Sequence, residues 1–460
     1  MKKHNSVATH NMKNPRQDAL TALTRILYKG ESSTDVLNEM LSAYGFAQSR
    51  DAGLLHAITM GVLRNLLLLE STLKTVSDRP IKAIDKRVLL AIYTGMLQLL
   101  FMDRIPAHAA VDETVKLVQS FRRKAVSFAN AVMRTIARQR DGLLKDIDRQ
   151  MVLSSLPKPL LSALKTVAGR NLTRDEIMRL NSPTPTVLRV NQVLIERDRL
   201  RNKLVTHGIR AQIAKQARSA IIITKGALSL VDTGAIPRLA VPQDLGSQLV
   251  VEVLNPRPGE SVIDLCAGRG IKTTQIQEYT DSNASVTAVD ISPDKLRLLQ
   301  GLANKKGLHR ISVIQGDATK FRTSETFDKV LLDAPCTGTG TLRRRPEVRY
   351  RISETDMGKM TDLQRRMLAN ALKLVRPRGL IVYAVCSFLP EEGPGVWDTV
   401  MNGLTDFQEV DLSQRFPGAP FITSEGRILT LPYRDEMDGF FIAAAIRIDK
   451  EDDTTTTVTR

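Results

Sequence analysis

Four short apolar runs each close on an aspartate: "SVID" at Asp264, "SVTAVD" at Asp290, "ISVIQGD" at Asp317 and "DKVLLD" at Asp333. Helical stretches such as "SPDKLRLLQGLANKKG" lie between them, and a further apolar run, "GLIVYAV", follows. Short apolar runs alternating with helical patterns specify βαβ units and a parallel sheet covered on both faces. In such a sheet the carboxyl ends of the strands form the ligand crevice. Acids at the ends of four successive strands therefore mark a binding site.

The rest of the chain has a different texture. With 460 residues it exceeds one ordinary core, so several domains are expected. Segments such as "RQDALTALTRILY", "DKRVLLAIYTGMLQLLFM" and "KAVSFANAVMRTIARQR" repeat apolar residues at three- and four-residue spacing, which predicts an all-helical bundle over residues 15–140. Breaks fall at "SDRPIKAID" and "DRIPAH". Residues 141–240 read as a small α/β connector, with strands expected in "TVLRVNQ" and "ARSAIIITKG". The sheet domain occupies 241–450, and the terminal "RILTLPYRDEMDGFFIAAAIRI" is expected to close the sheet edge with two strands. Residues 1–14 and 451–460 are expected to be a flexible and a disordered tail.

Charge narrows the partner. Lysine and arginine total 66 against 49 acids, a net +17, which suits a polyanion. An aromatic content of 4% argues against extensive base-stacking platforms. The most apolar windows, such as "VLRNLLLLESTL", are read as broken by charge or short of a bilayer span, and no membrane partner is expected. Three cysteines and unclustered histidines give neither a disulfide framework nor a metal site. A cytoplasmic, monomeric protein bound to nucleic acid is the expectation.

The turn after the first acid-ended strand, "VIDLCAGRGIKTTQ", has the layout of a nucleotide-cofactor loop. Gly268 and Gly270 allow backbone to approach a ligand, and a helix is expected from about Lys272. Asp290, 20 residues after Gly270, can accept ribose hydroxyls. Thr273 stands where a dinucleotide loop would carry its third glycine, and no phosphate-binding lysine arrangement is present. A ligand with a ribose, an adenine and a cation but no phosphate fits such a lining, which points to S-adenosyl-L-methionine. The candidate cofactor residues are Cys266, Ala267, Gly268, Arg269, Gly270, Ile271, Lys272, Asp290, Asp317 and Asp333.

Cys336 and Cys386 directly follow two strand ends in the same crevice. Carbon 5 of a pyrimidine is a poor nucleophile, and a thiolate adding at carbon 6 makes it one. Paired thiols beside a methyl donor select that reaction over nitrogen or ribose methylation. Asp333 suits the ring nitrogen 3, and Lys272 or nearby arginines could favour the thiolate. Which cysteine attacks is left open by the chemistry.

The motifs "DAPCTGTGTLRRRPEVRYR" and "VYAVCSFLPEEG" resemble signatures of the Sun family of RNA 5-methylcytosine methyltransferases. The parts "DRIPAHAAVDETVKLVQSF" and "FANAVMR" resemble the NusB RNA-binding fold. The resemblance implies a NusB-like bundle, the α/β connector and a Rossmann-like class I methyltransferase domain, acting on a cytidine of 16S ribosomal RNA. It implies Cys386 as nucleophile and Cys336 as the thiol assisting release. Transfer RNA as substrate, or a non-catalytic assembly factor, are the alternatives. The family loop commonly reads Cys-Ala-Ala-Pro-Gly-Gly-Lys; here β-branched Ile271 replaces a glycine, disfavouring positive φ and weakening the cofactor expectation. Arg343, Arg344, Arg345, Arg349 and Arg351 are expected to hold RNA phosphate, with a second basic cluster on a helical "SFRRKAVSF".

Overall fold

The computed structural model describes residues 14–42, 50–226 and 239–449. Apart from residue 14, the two expected tails lie outside the described residues. The chain divides into two compact units. One comprises residues 1–165, 170–181 and 345–350; the other comprises 166–169, 182–344 and 351–460.

The first unit is helical: α1 Pro15–Tyr28, α2 Ser33–Ser42, α3 Arg50–Val76, α4 Lys86–Phe101, α5 Ala107–Phe121, α6 Val126–Arg138, α7 Arg140–Ser154 and, beyond α8 (Lys158–Ala168), α9 Arg174–Asn181. Local chemistry sets the starts. The Asn14 side chain accepts the Arg16 N–H ahead of Pro15, and Asp85 accepts from Arg87 and Val88 at the head of α4. Every residue of α4 from Val88 to Leu100 is buried, so α4 is the hub of the bundle. Helix α3 corrects the reading of the apolar windows, because it is long and apolar enough to cross a membrane. In the fold Leu55, Ile58, Val62, Leu63, Leu69 and Leu73 of α3 enter the bundle core instead. The basic "SFRRKAVSF" is likewise not one helix: α5 ends at Phe121 and a single 3-10 turn over Arg123–Ala125 leads into α6.

The second unit opens with strand β1 (Thr186–Val190), α10 (Arg197–Thr206), β2 (Arg210–Ile213), β3 (Ala220–Lys225) and β4 (Ala240–Pro242), an antiparallel sheet ordered β2-β3-β1-β4. After α11 (Leu245–Leu254) come β5 (Ser261–Asp264), α12 (Ile271–Tyr279), β6 (Ser285–Asp290), α13 (Pro293–Lys306), β7 (Ile311–Gln315) and β8 (Phe327–Asp333). The chain finishes with α14 (Glu354–Ala371), β9 (Val375–Val385), α15 (Pro394–Met401), β10 (Phe407–Glu409), β11 (Ile428–Leu429) and β12 (Phe441–Arg447). The larger sheet runs β10-β12-β9-β8-β5-β6-β7, parallel from β9 through β7, with β11 beside β12. Strand β12 is internal to this order and β10 is the edge, so the last two strands do not close the sheet as expected. The alternate faces of the sheet are covered by two separate apolar clusters, one containing Val262, Leu331 and Val382, the other Ile263, Leu332 and Tyr383. Trp397 is fully buried and stacked on Tyr383 at 6.2 Å, a core residue.

Candidate active site

Strand order reverses between β5 and β8, and the carboxyl ends of these neighbours open a crevice at that switch point. Gly268 (φ +57°) and Gly270 (φ +82°) turn the chain from β5 into α12. Gly270 also lies against Leu299, where a Cβ would come within 2.6 Å of Cγ. Ile271 opens α12 and is absent from the residues with positive φ. The strain expected there does not arise, since the left-handed positions fall on the two glycines instead.

A cavity of about 480 Å³ lies against this turn. Asp264, Cys266, Ala267, Gly268, Arg269, Ile271, Lys272 and Asp333 line it, as do Gln243, Asp244, Lys295, Arg344 and Asp438. The Lys272 ammonium donates to Asp333 Oδ2 at 2.5 Å. Burial opposes charge on Lys272, but the attraction and hydrogen bond of Asp333, with smaller help from Cys386 and Asp264, hold the ammonium above the ordinary lysine value. Asp264 accepts from Thr273 Oγ1 at 2.8 Å, while its other oxygen is buried without a partner. Burial pushes this carboxyl up to about 7, against the Thr273 bond and with the push of Asp333. Burial, reinforced by Asp264, raises the Cys266 thiol.

Asp290 is placed otherwise. Its carboxylate accepts the Gly268 N–H at 2.9 Å and the Ser292 N–H at 2.8 Å, tying the glycine turn to the end of β6. Asp317 lies two residues beyond β7 and outside the cavity lining, its carboxylate turned back onto Thr319 N–H and Oγ1.

The two thiols converge. Cys336 Sγ and Cys386 Sγ are 3.3 Å apart, following the ends of adjacent parallel strands β8 and β9. The contact with Cys386, followed by burial, holds the Cys336 thiol well above its usual range. Glycine contacts make this approach possible: Gly340 N–H donates to Cys386 O at 3.0 Å, and Gly439 N–H to Gly340 O at 2.9 Å. A Cβ on Gly340 would sit 1.8 Å from Gly439 O. The fully buried Glu392 accepts from Thr337 N–H (2.8 Å), Thr337 Oγ1 (2.5 Å) and Gln364 Nε2 (3.1 Å), holding the loop after Cys336.

The arginine segment needs correction. Arg343 is buried and donates to Ser182 O, Pro183 O and Pro432 O. Arg344 lines the cavity, paired with Asp244 and Asp438. Residues 345–350 belong to the helical unit. There Arg345 faces Glu347 at 3.6 Å, and the buried Arg349 bonds Asn181 and Leu180 O. Only Arg351 of the five is exposed. Guanidinium groups dense in sequence are here consumed by carbonyls and carboxylates of their own fold, and no continuous phosphate-facing ribbon forms.

The segment "LRVN" resembles the family's RNA-contacting strand, which leads to an expectation of RNA contact there, but its Arg189 is completely buried. It donates to Glu278 (2.8 Å), Gln243 (2.5 Å), Ile271 O (2.6 Å) and Thr274 Oγ1 (2.9 Å), pinning the first turn of α12. An arginine between apolar strand residues was the available signal. Asp438 in "MDGFF", an acid just ahead of a strand, was also passed over.

A parallel sheet with a glycine turn at its switch point and paired thiols at adjacent strand ends is the architecture of a Rossmann-like methyltransferase. Residues 251–446 match the family of 16S rRNA methyltransferases RsmB/F, 13–138 match the NusB family, and 156–228 match the ferredoxin-like domain of RsmF/B-like methyltransferases. The ribosomal RNA small subunit methyltransferase B of Cronobacter sakazakii is 31% identical over 94% of this chain and 99% of its own. That of Erwinia tasmaniensis is 32% identical over 95% and 99%. The crystal structure of PH0851 matches 93% of this chain and 98% of that chain with a TM-score of 0.75 at 22% identity, a likeness of fold. NSun6 from Pyrococcus horikoshii with SFG matches 64% of this chain and 99% of its own at a TM-score of 0.55 and 20% identity. The chain belongs to the ribosomal RNA small subunit methyltransferase B family.

Proposed function

We propose that this protein methylates carbon 5 of one cytidine in 16S ribosomal RNA through a covalent adduct on Cys386. The observation that carries the reading is the 3.3 Å approach of two thiols beside the Lys272–Asp333 pair. A methylation of nitrogen or oxygen uses neither thiol. The named relatives, ribosomal RNA small subunit methyltransferases, favour 16S RNA as the substrate, and the reading puts the reaction in the cytoplasm. The protein acts as a monomer in this reading.

The crevice fits S-adenosylmethionine on one specific ground: Asp264, one of whose buried oxygens has no hydrogen-bond partner, is among the residues lining the cavity beside the glycine turn. Asp264, the turn from Cys266 to Lys272, and Asp290 through Gly268 would hold it. When bound, the cofactor supplies an electrophilic methyl group. The protein's residues do the rest. Cys386 adds to carbon 6 of the extruded base, and the Lys272 ammonium favours negative charge on that sulfur. Asp333 meets ring nitrogen 3. Cys336, held as a neutral thiol against Cys386, assists departure of the sulfur. Of the arginine segment, the exposed Arg351 would meet RNA in this reading.

Denaturing gels of protein mixed with RNA and cofactor test the scheme. Cys386→Ala gives no covalent complex and no turnover, whereas Cys336→Ala accumulates the complex. A complex that persists in Cys386→Ala reverses the two roles.

A further inference from the structure

Each thiol has a task on the base, and neither task uses the contact between them. Cys336 Sγ and Cys386 Sγ are 3.3 Å apart and a disulfide needs about 2.0 Å, so a closure of roughly 1 Å joins them. The loops that carry them are already laced together. Two residues before each cysteine, Ala334 N–H donates to Ala384 O at 2.9 Å. Beyond the cysteines, Gly340 N–H donates to Cys386 O at 3.0 Å, and the Thr339 and Ser387 hydroxyls share a hydrogen bond at 2.8 Å. Cys336 is also fixed by its own neighbours, through Gln364 Nε2 on Pro335 O at 2.8 Å and Glu392 on Thr337. The sulfurs lie between bonds that tie the same two loops, so joining them asks little of the backbone.

Access and reactivity point the same way. Both cysteines are partly exposed, so a small oxidant reaches them. Cys386 interacts with the Lys272 ammonium, and a cation beside a sulfur favours the thiolate, the form that attacks a peroxide. An accessible thiolate with a second thiol in contact is the arrangement of a redox-sensing cysteine and its resolving partner. The third cysteine, Cys266, lines the cofactor cavity, whereas neither Cys336 nor Cys386 is among its lining residues.

We propose that Cys336 and Cys386 form a reversible disulfide when the protein meets hydrogen peroxide, and that this bond switches methyl transfer off. The bond stands on the geometry of the two loops; its effect on activity rests on the covalent reading above. The Cys386 thiolate attacks one oxygen of the peroxide, the O–O bond breaks, and hydroxide leaves with the electron pair, giving a sulfenic acid. The Cys336 sulfur then attacks Cys386 Sγ: the S–S bond forms as the S–O bond breaks and a second hydroxide leaves. The protons lost by the two thiols convert both hydroxides to water. Two thiols are thereby oxidised by two electrons and one peroxide is reduced. Cys386 then has no electron pair to add to carbon 6 of a base. A thiol reductant reverses the step by exchange. The resolving thiol also stops Cys386 short of the sulfinic acid, which thiol reductants do not restore.

The full chain is treated with hydrogen peroxide, blocked with iodoacetamide, digested without reduction and read by mass spectrometry. Peptides joined through Cys336 and Cys386 should appear, with Cys266 alkylated. Methyl transfer to RNA should fall about 10-fold or more in step with that bond and return with dithiothreitol. Calorimetric binding of S-adenosylmethionine should be unchanged in the oxidised protein, since neither sulfur lines the cofactor cavity. In Cys336→Ser the same treatment should leave Cys386 as a sulfinic acid that dithiothreitol does not reduce. Separately alkylated Cys336 and Cys386, a bond through Cys266, or sulfinic acid on Cys386 of the unaltered protein each overturn the inference. Loss of cofactor binding together with turnover marks general damage and overturns the switch. The bond and the covalent reading fail separately. A bonded protein that still turns over ends the covalent reading and the switch with it, whereas an unbonded protein whose Cys386→Ala variant forms no RNA complex ends this inference alone.

Discussion

Helix α12 carries two ion-pair systems within two turns. At its start Lys272 meets Asp333, with 11% and 26% of the side chains exposed, on the wall of a cavity. Further along, Glu278 receives Arg189 and Lys306, and the Arg189 and Glu278 side chains are 0% and 2% exposed. The second system is closed: both carboxylate oxygens have donors, and the remaining guanidinium hydrogens go to Gln243, Ile271 O and Thr274. The first is open, with a lysine and an aspartate whose further hydrogen-bonding capacity faces the cavity. A closed network holds a helix in register, whereas an open one is left with chemistry to do.

The comparison can be broken by substitution. Arg189→Met leaves the buried Glu278 with Lys306 alone and removes the bonds to Gln243, Ile271 O and Thr274, and should lower the stability of the second unit by about 3–5 kcal/mol, read from urea unfolding. Lys272→Met should instead leave the unfolding midpoint nearly unchanged and cost turnover about 100-fold. Equal destabilisation by both would erase the distinction between the two systems. Gly340→Ala comes next. Its Cβ cannot fit against Gly439 O, so the thiol loops must separate, and trapping of RNA should fall even though the residue bears no reactive group.

Protons give a smaller effect. Asp264 is raised from 3.8 to about 7 in the folded chain, so the native state binds more protons than the unfolded one across that interval. Its contribution to stability is full below pH 3.8 and is lost as pH rises through about 7. Asp264→Asn should flatten the decline between those values, measured by unfolding at a series of pH values. A steeper decline in the variant would place the shift on another group. The least effect is expected at the arginines: Arg351→Gln should weaken RNA binding slightly and reduce its salt slope by about one, whereas Arg343→Gln should leave the slope alone and lower stability.

The arginine segment shows where sequence reading stops. Charge density is visible in "LRRRPEVRYR", but which guanidinium groups meet solvent depends on partners remote in sequence, such as Ser182, Pro432 and Asn181. The same limit hid Arg189, whose ligands lie on α12, and Asp438, whose neighbours come from α11 and the arginine loop. The strand-end acids were legible because strand period and polarity are local. Their partners were not: Asp264 and Asp333 line the cavity, Asp290 accepts the Gly268 and Ser292 amides, and Asp317 turns onto Thr319.

By itself the sequence determined a helical part followed by alternating strands and helices, the glycine turn at the first strand of the larger sheet and the presence of two thiols after strand ends, because periodicity and turn chemistry act over a few residues. The tertiary structure alone decided that the two sulfurs meet, that Arg343 and Arg349 are buried, and that one oxygen of Asp438 has no hydrogen-bond partner. Those outcomes depend on burial and on donor–acceptor counting among elements far apart in the chain, where each polar group taken by the fold is lost to the ligand.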